Sequence, residues 1–132
     1  MNRELIRQVR LRAENRCEYC RLPGWALPLP FQIDHIIAEK HGGQTLEDNL
    51  ALACPHYNRF KGPNIAGRDP ESRQIVRLFN PRRDLWAEHL QWDGARLAGR
   101  TDIGRATVRV LAMNAEDLLL VRIELLAEGV VL

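Results

Sequence analysis

Four polar residues in the first half of the chain carry side chains suited to opening a phosphodiester bond. Asp34 and His35 stand side by side, and Asn49 and Asn58 follow. Such a hydrolysis needs a base to take a proton from water. It also needs a divalent cation to offset the charge that builds on phosphorus and on the departing oxygen. Histidine is the side chain best suited to act as a base near neutral pH. Asp and Asn offer hard oxygens of the kind that bind Mg²⁺ or Mn²⁺. The set therefore reads as His35 for the base, with Asp34 and Asn58 holding one cation. Each residue alone has a plainer reading: a surface Asp-His pair, a turn-forming Asn49, a solvent-facing Asn58. Only the ordered set carries the chemistry.

A second group is Cys17, Cys20 and Cys54. An odd number of thiols cannot pair fully within one chain, which argues against a secreted disulfide framework and for metal-binding or free thiols.

Short elements must position these residues. Glu4 to Asn15 is expected to be a helix, with Leu5, Ile6, Val9 and Ala13 at helical spacing. Pro23, Gly24, Pro28 and Pro30 make the next stretch irregular. Phe31-Gln32-Ile33 alternates like a strand and delivers Asp34-His35, which share a site only if the backbone twists as the strand ends. After the loop His41–Thr45, Asn49–Ala53 returns as a second strand. Pro55 starts a short helix over 56–61 that Gly62-Pro63 ends. After a loop through Gly67 and Pro70, Ile75–Phe79 is an apolar run. Trp86–Trp92, Asp93-Gly94 and Ala95–Leu97 suggest a β-hairpin. Thr101 and Asn114 are expected to cap two last helices, the second (Leu118–Glu128) apolar on most sides and so expected to be buried. The expected fold class is α+β in a single domain, 1–132, with a core at 17–62, an N-terminal helix at 4–15 and a C-terminal scaffold at 70–132.

Composition narrows the classes. With 132 residues, 45% of them hydrophobic, and a net charge of +2, the chain can bury a core and is not a disordered chain. It has no run of about 18 apolar residues, so no membrane span is expected. The Arg-rich start has no apolar stretch of a secretory signal, and a cytoplasmic location is expected. Residues 1–68 carry a net +3 and 69–132 a net −1, and 17 of the 19 basic residues are Arg. That balance leans weakly toward a phosphate-bearing partner for the front half. No dimer signal is evident.

Taken together, Cys17-x-x-Cys20, Ile33-Asp34-His35-Ile36-Ile37, Gly42-Gly43, Asn49-Leu50, Leu52-Ala53-Cys54 and Asn58-Arg59-Phe60-Lys61-Gly62 resemble the HNH endonuclease family in order and spacing. The likeness is dense over 17–62. A looser similarity to stand-alone bacterial members extends through Asn80-Pro81, Trp86–Trp92 and Gly104–Val108. The resemblance implies a ββα-metal core and metal-dependent nicking or cleavage of DNA. By position, His35 corresponds to the general base, Asp34 to the metal-binding Asp before it, Asn49 to the central Asn that braces the loop, and Asn58 to the final metal ligand. Arg59 and Lys61, on the same helix, are candidates for phosphate contact.

Many members also carry two Cys-x-x-Cys pairs that clamp a structural zinc. Here the fourth position is Tyr57, and a structural zinc site is nearly always four-coordinate. His56 is the nearest substitute and His41 a more distant one. Three states compete: a zinc held by Cys17, Cys20, Cys54 and His56, a three-thiolate zinc with water, and a metal-free knuckle packed around Tyr57. The last is placed ahead because an incomplete site loses much of its binding energy. The functional alternatives are a catalytically inactive nucleic-acid-binding module that keeps the fold, a thiol or zinc-storage protein, and an interaction partner within a larger system.

Overall fold

The computed structural model describes residues 1–132, in a mixed α+β fold of five helices and three antiparallel strand pairs. The chain forms two compact units: Met1–Ile65 with Asn80–Arg83, and Ala66–Phe79 with Asp84–Leu132. No helix is long and apolar enough to cross a membrane.

In the first unit, α1 (Arg3–Arg12) starts where Asn2 Oδ1 accepts the Leu5 N–H at 2.8 Å, an N-cap. It buries Val9 and sends two arginines inward to backbone carbonyls. Arg10 donates to Phe31 O at 3.0 Å, and Arg12 to Glu47 O and Leu50 O at 2.9 and 2.6 Å. Strands β1 (Gln32–His35) and β2 (Leu50–Ala53) pair from Gln32↔Ala53 to His35↔Leu50. All four residues of β2 are buried, which explains its unbroken apolar run. Then α2 (Pro55–Lys61) begins at a proline, whose missing N–H costs nothing in a first turn. Glu18 accepts the Leu52 N–H at 2.8 Å and pairs with Arg82, which ties 80–83 to this unit. Strand, loop, strand and helix give the ββα arrangement.

The second unit holds β3 (Ala66–Arg68) paired with β4 (Ile75–Arg77), then α3 (Trp86–His89), the hairpin β5 (Leu90–Asp93) with β6 (Arg96–Gly99), α4 (Asp102–Val110) and α5 (Glu116–Ala127). Five details differ from expectation. β3 forms in a stretch read as loop. The first half of 86–92 is helical. The hairpin pairs Asp93 with Arg96, so its two turn residues are Gly94 and Ala95, with Gly94 at φ +62. Asn114 is not a cap; its amide bonds both backbone groups of Leu97 at 2.8 Å. Thr101 does cap α4, accepting the Gly104 N–H at 3.0 Å. Helix α5 buries only Leu118, Arg122 and Leu125, while Leu120 and Ile123 stay 59% and 50% exposed. Its all-round apolarity therefore does not mean all-round burial.

Candidate active site

The loop between β1 and β2 is held by Asn49. Its Oδ1 accepts the Ile37 N–H at 2.9 Å, and its Nδ2 donates to Ile37 O at 3.0 Å and Gln44 O at 2.9 Å. One amide thus satisfies three backbone groups that no strand partner reaches. The chain closes so tightly here that a Cβ on Gly43 would lie 1.7 Å from Ile37 O. The result fixes the mouth of the loop beside His35, the last residue of β1. His35 Nε2 meets Thr45 Oγ1 at 2.9 Å and Glu39 Oε1 at 3.4 Å. Both contacts fall on Nε2 and none on Nδ1.

Asp34 lies on the other face of β1, toward α2. It is buried, and its Oδ2 receives the Tyr19 hydroxyl at 3.2 Å and the Lys61 ammonium at 3.2 Å. Lys61 Nζ also donates to His35 O at 3.0 Å. Burial pushes the Asp34 carboxyl above its ordinary value, against the pull of Lys61 and of Tyr19. Burial, with the Asp34 charge next, drives the Tyr19 hydroxyl well up, so it stays a donor. Gln32 shares the Asp34 face of the strand and accepts a hydrogen bond from Asn58 Nδ2. Asn58 and Lys61 are three apart on α2, so this helix edge runs along the 32/34 face of β1.

The structure thus brings Asp34 together with Lys61 and sets Asn58 on the same face, while the His35 ring points to Thr45 and Glu39 with no direct hydrogen bond to Asp34. What remains on that face is two oxygens of the kind a divalent cation takes. Oδ2 of Asp34 is engaged but Oδ1 is not, and the Asn58 amide spends its nitrogen on Gln32 and keeps its oxygen. These are two hard donors on one face. Lys61 corrects the sequence reading. It is 2% exposed, and its charge is spent on Asp34, so it does not reach a surface phosphate. Arg59 is exposed, its guanidinium 5.1 Å from the Phe60 ring centroid. Sequence reasoning missed Gln32, Thr45 and Tyr19. Only Gln32 had a signal, its i, i+2 relation to Asp34.

The three cysteines are buried and free, and their sulfurs lie within 4.8 Å of one another. The loop that carries two of them is closed by Arg21 N–H to Cys17 O at 2.8 Å and Cys17 N–H to Leu22 O at 2.9 Å. Burial pushes Cys17 well up. At Cys20 burial works the same way, but hydrogen bonds from Cys17 and Cys54 outweigh it and hold this sulfur well below the usual thiol range. Cys54 is helped down by Cys17, yet Cys20 and burial prevail and take it up to about 12. His56 is not among them. Its ring stacks on Phe60 at 4.5 Å, and His41 sits exposed at the end of the turn Glu39–His41. Tyr57 is wholly buried against the thiols. The donors present fit an ion held by three sulfurs, not the four-donor site that the resemblance implies.

The family model described as HNH endonuclease matches residues 17–63. That span contains every residue of the site just described, and over it the chain is similar to the HNH endonuclease family. Comparisons with curated proteins and with solved structures gave no match.

Proposed function

We propose that this protein is a metal-dependent endonuclease that hydrolyses DNA phosphodiester bonds, by nicking or by cleavage. The observation that supports the reading is the Asn49 brace, which fixes the loop beside His35, with one oxygen each of Asp34 and Asn58 left unengaged on the opposite, α2-facing side of β1. His35 Nδ1 takes the proton from the attacking water, and Thr45 and Glu39 steady the imidazole as it gains charge. Asp34 and Asn58 would hold Mg²⁺ or Mn²⁺, which when bound would offset charge on the phosphate and on the departing oxygen. Lys61 fixes the Asp34 carboxylate and the His35 backbone, and Arg59 is placed to meet phosphate.

One observation favours a second reading, an inactive nucleic-acid-binding module: the Lys61 ammonium already sits on Asp34. Incubating supercoiled plasmid with Mg²⁺ or Mn²⁺ separates the two. The nuclease converts it to open-circular or linear DNA, and Asn58→Ala slows this at least tenfold. A binder retards the plasmid on a gel and leaves it uncut with every metal.

A further inference from the structure

The proposed hydrolysis makes no use of the buried thiols. Cys17 and Cys20 come from one turn and Cys54 from the end of β2, yet the three sulfurs lie within 4.8 Å of one another. Sulfurs bound to a common ion at about 2.3 Å stand roughly 3.8–4.0 Å apart, so a contraction of about 1 Å or less closes the set.

The fourth side is closed. Tyr57 is 0% exposed, and its Oη makes no well-formed hydrogen bond. A phenol is a hard oxygen donor and a poor partner for a thiophilic ion already neutralised by thiolates. His56 and His41 lie elsewhere. We propose that Cys17, Cys20 and Cys54 bind one thiophilic d¹⁰ ion, Zn²⁺ or Cu⁺, through three sulfurs alone, with Tyr57 shutting the fourth side against water without ligating. Binding forms three metal–sulfur bonds and releases the thiol protons to buffer. The ion would pin the Cys17–Leu22 turn to the start of α2, which carries Asn58 and Lys61.

The full chain, reduced and stripped with chelator, is titrated with Zn²⁺ and, without oxygen, with Cu⁺. Native mass spectrometry reads ions per chain, and N-ethylmaleimide labelling reads thiol protection. One ion per chain, with all three cysteines protected together, is expected. Tyr57→Phe should leave stoichiometry and protection intact, with affinity within about threefold. Tyr57→Cys, which supplies a fourth sulfur, should tighten Zn²⁺ about a hundredfold. Retention of neither ion, or protection of fewer than three cysteines, overturns the proposal. So does loss of binding in Tyr57→Phe, which would make the phenol a ligand, or unchanged Zn²⁺ affinity in Tyr57→Cys. None of these readouts depends on DNA cleavage, so the site stands or falls apart from the nuclease reading.

Discussion

Replacing Lys61 by Met keeps a long unbranched side chain and removes only the ammonium. Lys61 is 2% exposed and the Asp34 side chain 9%, so the change strands a carboxylate where water hardly reaches. Breaking a buried ion pair from one side costs about 3–5 kcal/mol, and the His35 carbonyl loses its donor, roughly 1 kcal/mol more. Two features lower the total. Tyr19 still donates to Asp34, and burial already raises the Asp34 carboxyl, so it can escape by taking up a proton. We expect about 3 kcal/mol near pH 7.5. The sign of the pH dependence follows from the raised carboxyl. Its folded value lies above its unfolded one, so the penalty is full above the folded value and fades as pH falls through it. The cost should therefore shrink as the pH is lowered. Adding Asp34→Asn to Lys61→Met should recover about 2 kcal/mol relative to the summed single changes. Urea titrations followed by far-ultraviolet circular dichroism, at three pH values, measure all of this. A loss under about 0.5 kcal/mol that is flat with pH, as for a solvated lysine, would refute the reasoning and return Lys61 to the surface as a phosphate contact.

Other expectations are simpler. Gly43→Ala should cost more than about 2 kcal/mol and abolish cleavage, because its Cβ would meet Ile37 O at 1.7 Å and the Asn49 amide at 2.9 Å; thermal unfolding and plasmid assays check this. Asp69 accepts two bonds from Arg105 at 2.9 Å and the N–H groups of Glu71 and Ser72, and Arg105 holds its carboxyl well below the usual range. Its stabilisation is present above the unfolded carboxyl value and is lost as pH falls through the folded one. Asp69→Asn should therefore lower the melting temperature at pH 7 and flatten its fall below about pH 4. On α5, Leu118→Ala should cost about 2–4 kcal/mol and Leu120→Ala under about 0.5, since Leu118 is 2% and Leu120 59% exposed; chemical denaturation separates them.

The ββα core was legible because its signals are local: alternation into Asp34, a glycine pair, a returning apolar run and a proline at the first turn of α2. What stayed hidden depends on partners far along the chain. Lys61 has the look of a solvent-facing helix end, and only the Asp34 carboxylate 27 positions earlier brings it inside. Ala66-Gly67-Arg68 lacks the branched side chains of a strand. It forms β3 by pairing with β4, and Gly67 lets it lie close to Val110, where a Cβ would stand 2.4 Å from Cγ2. Asn114 was read as a cap from its type, but the Leu97 backbone claims its amide. The apolarity of α5 told that a face is buried without telling which. Asn49 was read as a brace by resemblance, and its three hydrogen bonds to the loop give that role a physical content.

The nuclease reading turns on His35. Purified wild type and His35→Ala should be compared on supercoiled plasmid with Mg²⁺ and Mn²⁺, after both are shown to fold alike. Wild type should cut with at least one of these ions, and His35→Ala should be slower by about a hundredfold or more, the usual contribution of a positioned base. Intact plasmid with wild type in both metals, or equal rates for the two proteins, would contradict it.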